Sequence, residues 1–269
     1  MLRIHSFAED GFKCSIMGYK KKRFSDDPEI QSNRVYEDPY LFQVYSDVLK
    51  DFKDVINNKK SKKLVCIELG SAGGITKLID DKWITSDIRF SKKLDIIFSA
   101  TQMPFKADSI DLIYCQDVIH HIPDFTKFIS EVTRVSKNGT EILIKEPYWG
   151  LFAQFIWRFL HPEDFSLKRL MLIQNFFNPM DGNQALAWAL IKKKKSEYVN
   201  LLSSFEIIKI GPRLSLSFVL SGGSTFSTSI SRKFLIDLYN FEKKNKFVTK
   251  FFCVAYLFIL RINKDVNEK

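Results

Sequence analysis

No stretch of this chain is apolar over the roughly 20 residues that a bilayer-spanning helix requires. The longest apolar run, Phe251 to Leu260, is closed by Lys250 and Arg261 and reads as a buried strand. Cysteine is scarce: the four are Cys14, Cys66, Cys115 and Cys253, and none stands in a C-x-x-C pair. Two of them fall within expected buried strands, where cysteine behaves as a small apolar side chain. A disulfide scaffold is excluded, and a reducing, cytoplasmic setting is expected. The histidines include no H-x-x-x-H spacing and no cysteine array accompanies them, so no metal site is expected. Met1 to Gly18 lacks the continuous apolar segment of a secretory signal.

Acidic residues are also short, 31 against 41 Lys and Arg, which leaves a formal charge of +10. The positive charge gathers at Lys20 to Arg23, Lys59 to Lys63, Lys192 to Lys195 and Lys243 to Lys246. Such runs are more often solvated faces than binding surfaces. The chain has no N-P-P-Y-type motif for a flipped base and no appended RNA-binding domain, so nucleic acid is not an expected partner. A hydrophobic share of 45% with 27% charged residues is that of a globular chain. Its length of 269 residues allows a full core and a cap.

The most informative stretch follows the apolar segment Leu64-Val65-Cys66-Ile67: Glu68-Leu69-Gly70-Ser71-Ala72-Gly73-Gly74. A buried strand that runs into a glycine loop and then a helix offers backbone N–H groups to a ligand. Asp87, 19 residues after Glu68, is placed to meet a ribose. The dinucleotide fingerprint G-x-G-x-x-G fails here, because its three places hold Gly70, Ala72 and Ile75. The acidic Glu68 would repel a pyrophosphate but suits a sulfonium with an amino-acid tail, so S-adenosyl-L-methionine fits better than a nicotinamide dinucleotide.

Around that loop the pattern alternates. Asp38-Pro39 opens a helix, with Asp as cap and Pro in the first turn, whose stripe is Leu41, Tyr45, Val48, Leu49, Phe52, Val55 and Ile56. Strands are expected near 64–68, 83–87, 95–98, 110–115 and 140–146, and helices near 74–80 and 124–136. This order demands right-handed crossovers, a parallel sheet and a ligand at its carboxyl edge. Residues 1–37 show no period and read as a loosely ordered entrance. Tyr148 to Leu160 is apolar on nearly every side, and residues 183–202 and 231–245 read as helices. Residues 205–210 and 252–262 read as the closing strands.

Five pieces in order resemble the class I S-adenosylmethionine-dependent methyltransferases of the methyltransferase-11 type: the Glu68–Gly74 loop, Ile84–Ile88, Ser99–Phe105, Ile110–Ile122 and Gly139–Pro147. The resemblance implies an α/β, Rossmann-like fold: a seven-stranded, mostly parallel sheet with helices on both faces, an antiparallel last strand and cap insertions. It divides the chain into an N-terminal helical entrance (1–61), a cofactor-binding core (62–147) and a C-terminal half (148–269), with acceptor-pocket insertions at 148–182 and 213–250. It implies that Gly70, Ser71 and Gly73 admit the cofactor, that Glu68 fixes the loop or meets the amino group, and that Asp87 and the following Ile88 meet the ribose. Ala100 and Thr101 would present backbone to adenine, and Gln116 would lie under the methionine part. Two departures stand out. Ala72 replaces the family's middle glycine, and Ser99 replaces its usual adenine-binding Asp, which weakens adenine discrimination.

Methyl transfer needs alignment, and a base only where the nucleophile carries a proton of high pKa. His120, His121 and Glu146 are the candidates for that base, with His161 and Asn183 as weaker pocket residues. Glu146-Pro147, Asn183-Gln184-Ala185-Leu186 and Leu220-Ser221-Gly222-Gly223 resemble the C-terminal portion of methyltransferases of glycan biosynthesis, which implies as acceptor a sugar hydroxyl of a bacterial surface polysaccharide or lipid-linked glycan. The aromatic segment 148–160 and the basic clusters would then give peripheral contact to an anionic membrane. A quinone or other lipophilic metabolite, and a non-catalytic assembly factor that binds the cofactor weakly or not at all, are the other readings.

Overall fold

The computed structural model describes residues 19–23, 27–57, 63–78, 81–148, 150–159, 165–166, 173, 179, 181–191, 200–224 and 226–265. Expectations resting on residues 1–18, His161 and Lys192 to Lys195 lie outside these.

In chain order, strand β1 (Tyr19–Arg23) precedes helices α1 (Pro28–Glu37) and α2 (Pro39–Asn57). The core follows as β2 (Cys66–Leu69), β3 (Ile84–Asp87), β4 (Ile96–Ile97), β5 (Ile110–Gln116), α3 (Phe125–Val135) and β6 (Ser136–Pro147). Helices α4 (Leu151–Phe159) and α5 (Ala185–Ile191) then lead to β7 (Phe205–Arg213) and α6 (Leu216–Ser221). Strand β8 (Phe226–Thr228), α7 (Arg232–Lys244), α8 (Lys246–Phe252) and β9 (Ala255–Ile262) complete the described elements.

Seven strands form one sheet in the order β4-β3-β2-β5-β6-β9-β7. All pairs from β4 to β6 are parallel, and β9 runs antiparallel to both β6 and β7. This is the expected Rossmann-like sheet, seven-stranded and mostly parallel with an antiparallel last strand. Strands β1 and β8 pair separately as a two-stranded ribbon.

Strict alternation along the strands sorts the core into two layers. Leu112, Tyr114, Leu143, Leu257 and Ile259 face one side, where Val48, Leu49 and Phe52 of α2 cover them. Ile113, Cys115, Ile142, Ile144 and Phe258 face the other, under Phe125, Phe128, Ile129 and Val132 of α3. Phe52 meets the Tyr114 ring edge-on at 5.1 Å; burying such a side chain stabilises the fold by roughly 1.5–3 kcal/mol. Asp38 caps α2 as expected, its Oδ1 accepting from the N–H groups of Tyr40 and Leu41.

Three expectations need correction. Residues 19–23 and 28–37 form β1 and α1 rather than a loosely ordered entrance. Helix α1 is set by its cap, Asp27 accepting from the Glu29 N–H at 2.8 Å with Pro28 in the first turn, while its buried residues are only Pro28, Ser32 and Val35. Phe251 and Phe252 belong to α8, which Asn245 caps by accepting from the Val248 N–H, so the closing strand begins at Ala255. The expected helix near 74–80 is a short 3₁₀ turn, Ile75–Leu78.

Candidate functional site

At the carboxyl edge of β2, β3, β5 and β6 the structure holds a cavity of about 500 Å³. Glu68, Gly70, Ser71, Gly73, Asp87, Ile88, Ala100, Thr101, Gln116, His120 and His121 all line it. Glu146 stands behind His120.

The glycine loop is shaped by close approaches. Gly70 has φ +67°, and a Cβ there would fall 2.2 Å from Val118. A Cβ on Gly73 would fall 1.9 Å from Ser32, so α1 rests directly on the loop. The Ser32 and Tyr36 hydroxyls donate to the Gly73 and Gly74 carbonyls at 3.3 and 3.1 Å. Ala72 adopts φ +49°, a left-handed conformation that glycine takes freely and alanine does not.

Two buried carboxylates hold this loop from beneath. Glu68 Oε2 accepts from the Thr76 hydroxyl at 2.6 Å and the Thr76 N–H at 3.2 Å. Burial pushes its pKa up to about 7, with the Thr76 and Ser71 hydrogen bonds pulling the other way and Asp87 adding repulsion. Asp87 accepts from the Ala72 N–H at 3.0 Å and the Arg89 N–H at 2.9 Å, and the Arg89 guanidinium lies 3.3 Å from it. Asp87 is therefore both a cap of its own turn and a tie to the glycine loop. Ser71 bridges β2 and β3, its hydroxyl donating to the Glu68 carbonyl and accepting from the Ser86 N–H. Gln116 Oε1 accepts from the Tyr114 hydroxyl at 2.5 Å, and the Ser99 and Thr101 hydroxyls are 2.8 Å apart.

The opposite wall carries a histidine–carboxylate pair. His120 Nδ1 lies 2.5 Å from Glu146 Oε2, and Glu146 Oε1 accepts from the Val118 and Ile119 N–H groups at 2.8 and 2.7 Å. Glu146 is fully buried. Burial would raise its pKa, but the His120 ring and the two N–H groups outweigh it and hold the carboxyl below its ordinary value. An ionised carboxylate can only accept, so His120 carries its proton on Nδ1. The His121 ring lies tilted against that of His120, with centroids 4.1 Å apart and 40° between the planes, and its Nδ1 is 3.0 Å from the Asp181 carbonyl. Asn183 does not line the cavity; it caps α5, and its N–H donates to the His120 carbonyl.

Sequence reasoning missed a second charged pair on the wall. Lys145, buried on β6, forms an ion pair with Asp117 and places its ammonium 5.5 Å from the centre of the Phe218 ring. Asp117 has φ +52° and is 36% exposed although protein surrounds it, because it opens onto the cavity. Burial raises its pKa, and Lys145 offsets only part of that rise. The β5–β6 register, Gln116 opposite Lys145, brings the two together. Among the described residues no group of three or more His, Cys, Asp or Glu could hold a metal, and no helix is long and apolar enough to cross a membrane.

The profile of the family described as Methyltransferase domain matches residues 81–144, from just before β3 to within β6. The fold is similar to a SAM dependent methyltransferase from Archaeoglobus fulgidus, at 15% identity over 81% of this chain and 94% of that one, with a TM-score of 0.48. A SAM dependent methyltransferase from Aquifex aeolicus is similar at 11% identity over 88% and 100%, with a TM-score of 0.43. The YcgJ protein from Bacillus subtilis is similar at 16% identity over 78% and 96%, also with a TM-score of 0.43. No curated protein matches the sequence.

Proposed function

We propose that this chain is an S-adenosylmethionine-dependent methyltransferase that O-methylates a sugar hydroxyl of a bacterial surface polysaccharide or lipid-linked glycan, working in the cytoplasm at the inner face of the membrane. The observation that carries the reading is one cavity lined by both the Gly70–Gly73 bend and the His120 and His121 rings. Its volume lies within the roughly 300–1,000 Å³ usual for small-ligand sites. The match of residues 81–144 to the methyltransferase-domain family supports the same chemistry.

The residues present fit the cofactor. The left-handed backbone at Gly70 and Gly74 and the buried carboxylates Glu68 and Asp87 suit a cationic ligand with an amino-acid tail and a ribose. Ala100 and Thr101 would face its adenine. When bound, the cofactor supplies an electrophilic methyl group on sulfur. The chain's part is alignment and proton transfer. Glu146 fixes the His120 ring through Nδ1, and the acceptor's hydroxyl proton would pass to Nε2. His121, packed at a tilt against that ring, limits its rotation. Asp117 and Lys145 offer an acceptor and a donor to a polyhydroxylated acceptor, and this polar wall favours a glycan over a quinone.

One observation favours the non-catalytic reading. The Arg89 guanidinium and two backbone N–H groups already use the Asp87 carboxylate, so a ribose must displace or share them. Incubating purified protein and a cell extract with methyl-labelled cofactor separates the two. Label should enter a glycan fraction with the wild type and not with Asp87→Ala. Equal label with both, or none with either, overturns the proposal.

A further inference from the structure

Helix α8 buries none of its residues although three of its seven are phenylalanine. Phe247 is 77% exposed and Phe251 44%. Their rings stack at 6.3 Å, and Phe251 rests edge-on against Phe252, which in turn meets Phe152 of α4 at 5.1 Å. The outer rings thus stand on an aromatic chain rooted in the fold. Phe155, one helical turn from Phe152, and Phe241 near the end of α7 add to the exposed apolar surface of the helices packed on α8. Lys246 and Lys250 are exposed beside these rings, and α8 contains no acidic residue.

We propose that this aromatic and basic surface of α8, flanked by α4 and α7, docks the protein on an anionic lipid bilayer. Charge complementarity selects the occupant. A second copy related by a two-fold axis would set Lys246 and Lys250 against their own counterparts, which costs energy. A bilayer of anionic lipids instead receives both features at once, phenylalanine rings entering the headgroup boundary while the lysine stems extend to phosphate. Of segment 148–160, which the sequence suggested for membrane contact, Phe155 on α4 is the exposed phenylalanine among the described residues.

The placement also bears on the cavity. Ile156 of α4 and the Val254-Ala255 step that follows α8 both line it, so docking through α8 sets one wall of the cavity close to the lipid surface. An acceptor carried on a lipid headgroup would then need no extraction. That consequence rests on the glycan reading; the docking itself does not.

Flotation of the full chain with extruded vesicles tests the surface without cofactor or acceptor. Vesicles of equal parts phosphatidylglycerol and phosphatidylcholine should carry the protein at low salt and release it at high salt, and pure phosphatidylcholine vesicles should not carry it. Lys246→Gln with Lys250→Gln should weaken partitioning roughly 30-fold, about a factor of five for each charge removed. Phe247→Ser with Phe251→Ser should abolish it while the far-ultraviolet circular dichroism stays unchanged. Absence of binding to the anionic vesicles, equal binding to neutral ones, or a dimer in sedimentation velocity that the phenylalanine variant dissolves would each overturn the proposal. Cofactor titration of both variants keeps this outcome separate from the fate of the methyl-transfer reading.

Discussion

Glu146→Gln isolates what the buried carboxylate does for His120. In the wild type, Oε1 takes two backbone N–H groups and Oε2 takes His120 Nδ1. Glutamine is nearly isosteric, and its amide oxygen can stay on the two backbone donors. Its NH₂ group then faces Nδ1, which must accept, so the ring proton moves to Nε2 and the base is lost. Each of three hydrogen bonds weakens by about 1 kcal/mol when the charge goes. Relief from burying a lone carboxylate offsets part of this, leaving a net loss of about 1–2 kcal/mol. The catalytic loss is larger, about 10²–10⁴-fold in kcat, with cofactor affinity unchanged. Urea unfolding, calorimetric titration and turnover on the labelled acceptor measure the three quantities. Nitrogen-15 shifts of the imidazole should report a proton on Nδ1 in the wild type and on Nε2 in the variant. The pH profile adds a sign: a carboxyl held below its ordinary value stabilises the fold at neutral pH and loses that contribution as pH falls through its folded pKa, a loss absent from the variant. A variant within threefold of wild-type kcat refutes the role given to His120.

Glu68 behaves oppositely. Its pKa of about 7, raised from 4.5 by burial, means that stability is full below pH 4.5 and falls by roughly 3 kcal/mol as pH rises to about 7. Denaturant unfolding across that range should show the slope in the wild type and not in Glu68→Gln, which should be the more stable protein at pH 8. Gly73→Ala forces a methyl group to 1.9 Å from Ser32 and should cost about 1–3 kcal/mol and expose α1 to protease, with Ser32→Gly restoring most of the loss. Ala72→Gly relieves a left-handed alanine, but glycine's greater freedom in the unfolded chain cancels most of the gain. Stability should therefore change by less than about 0.5 kcal/mol while cofactor affinity rises severalfold, as read by calorimetry.

The centre of the sheet was legible because β2, β5 and most of β6 are buried on both faces and carry apolar runs, and because helix α2 shows both a cap and a full stripe. Helix α1 was not, since it packs through Ser32, a residue small enough to approach a glycine loop and too polar to register as periodicity. The Asp27-Pro28 pair repeats the Asp38-Pro39 signal and could have revealed it. Sequence pattern brought the loop, Asp87 and His120 to one edge, because strand ends fix where side chains gather. It could not reveal the Asp117–Lys145 pair, which depends on the lateral register of two strands, nor that Arg89 would turn back onto Asp87. The run from Phe251 misled because the last two phenylalanines of α8 continue, through Cys253 and Val254, into the buried strand, and the Asn245 cap that starts α8 lies outside the run.

Titration of the purified chain with S-adenosylmethionine tests most directly whether the bend after β2 and the end of β3 hold a sulfonium nucleoside. Saturable one-site heat is expected with the wild type, with affinity at least about tenfold weaker, 1.4 kcal/mol, in Asp87→Ala. No saturable heat with the wild type, or equal affinity in both proteins, would contradict it.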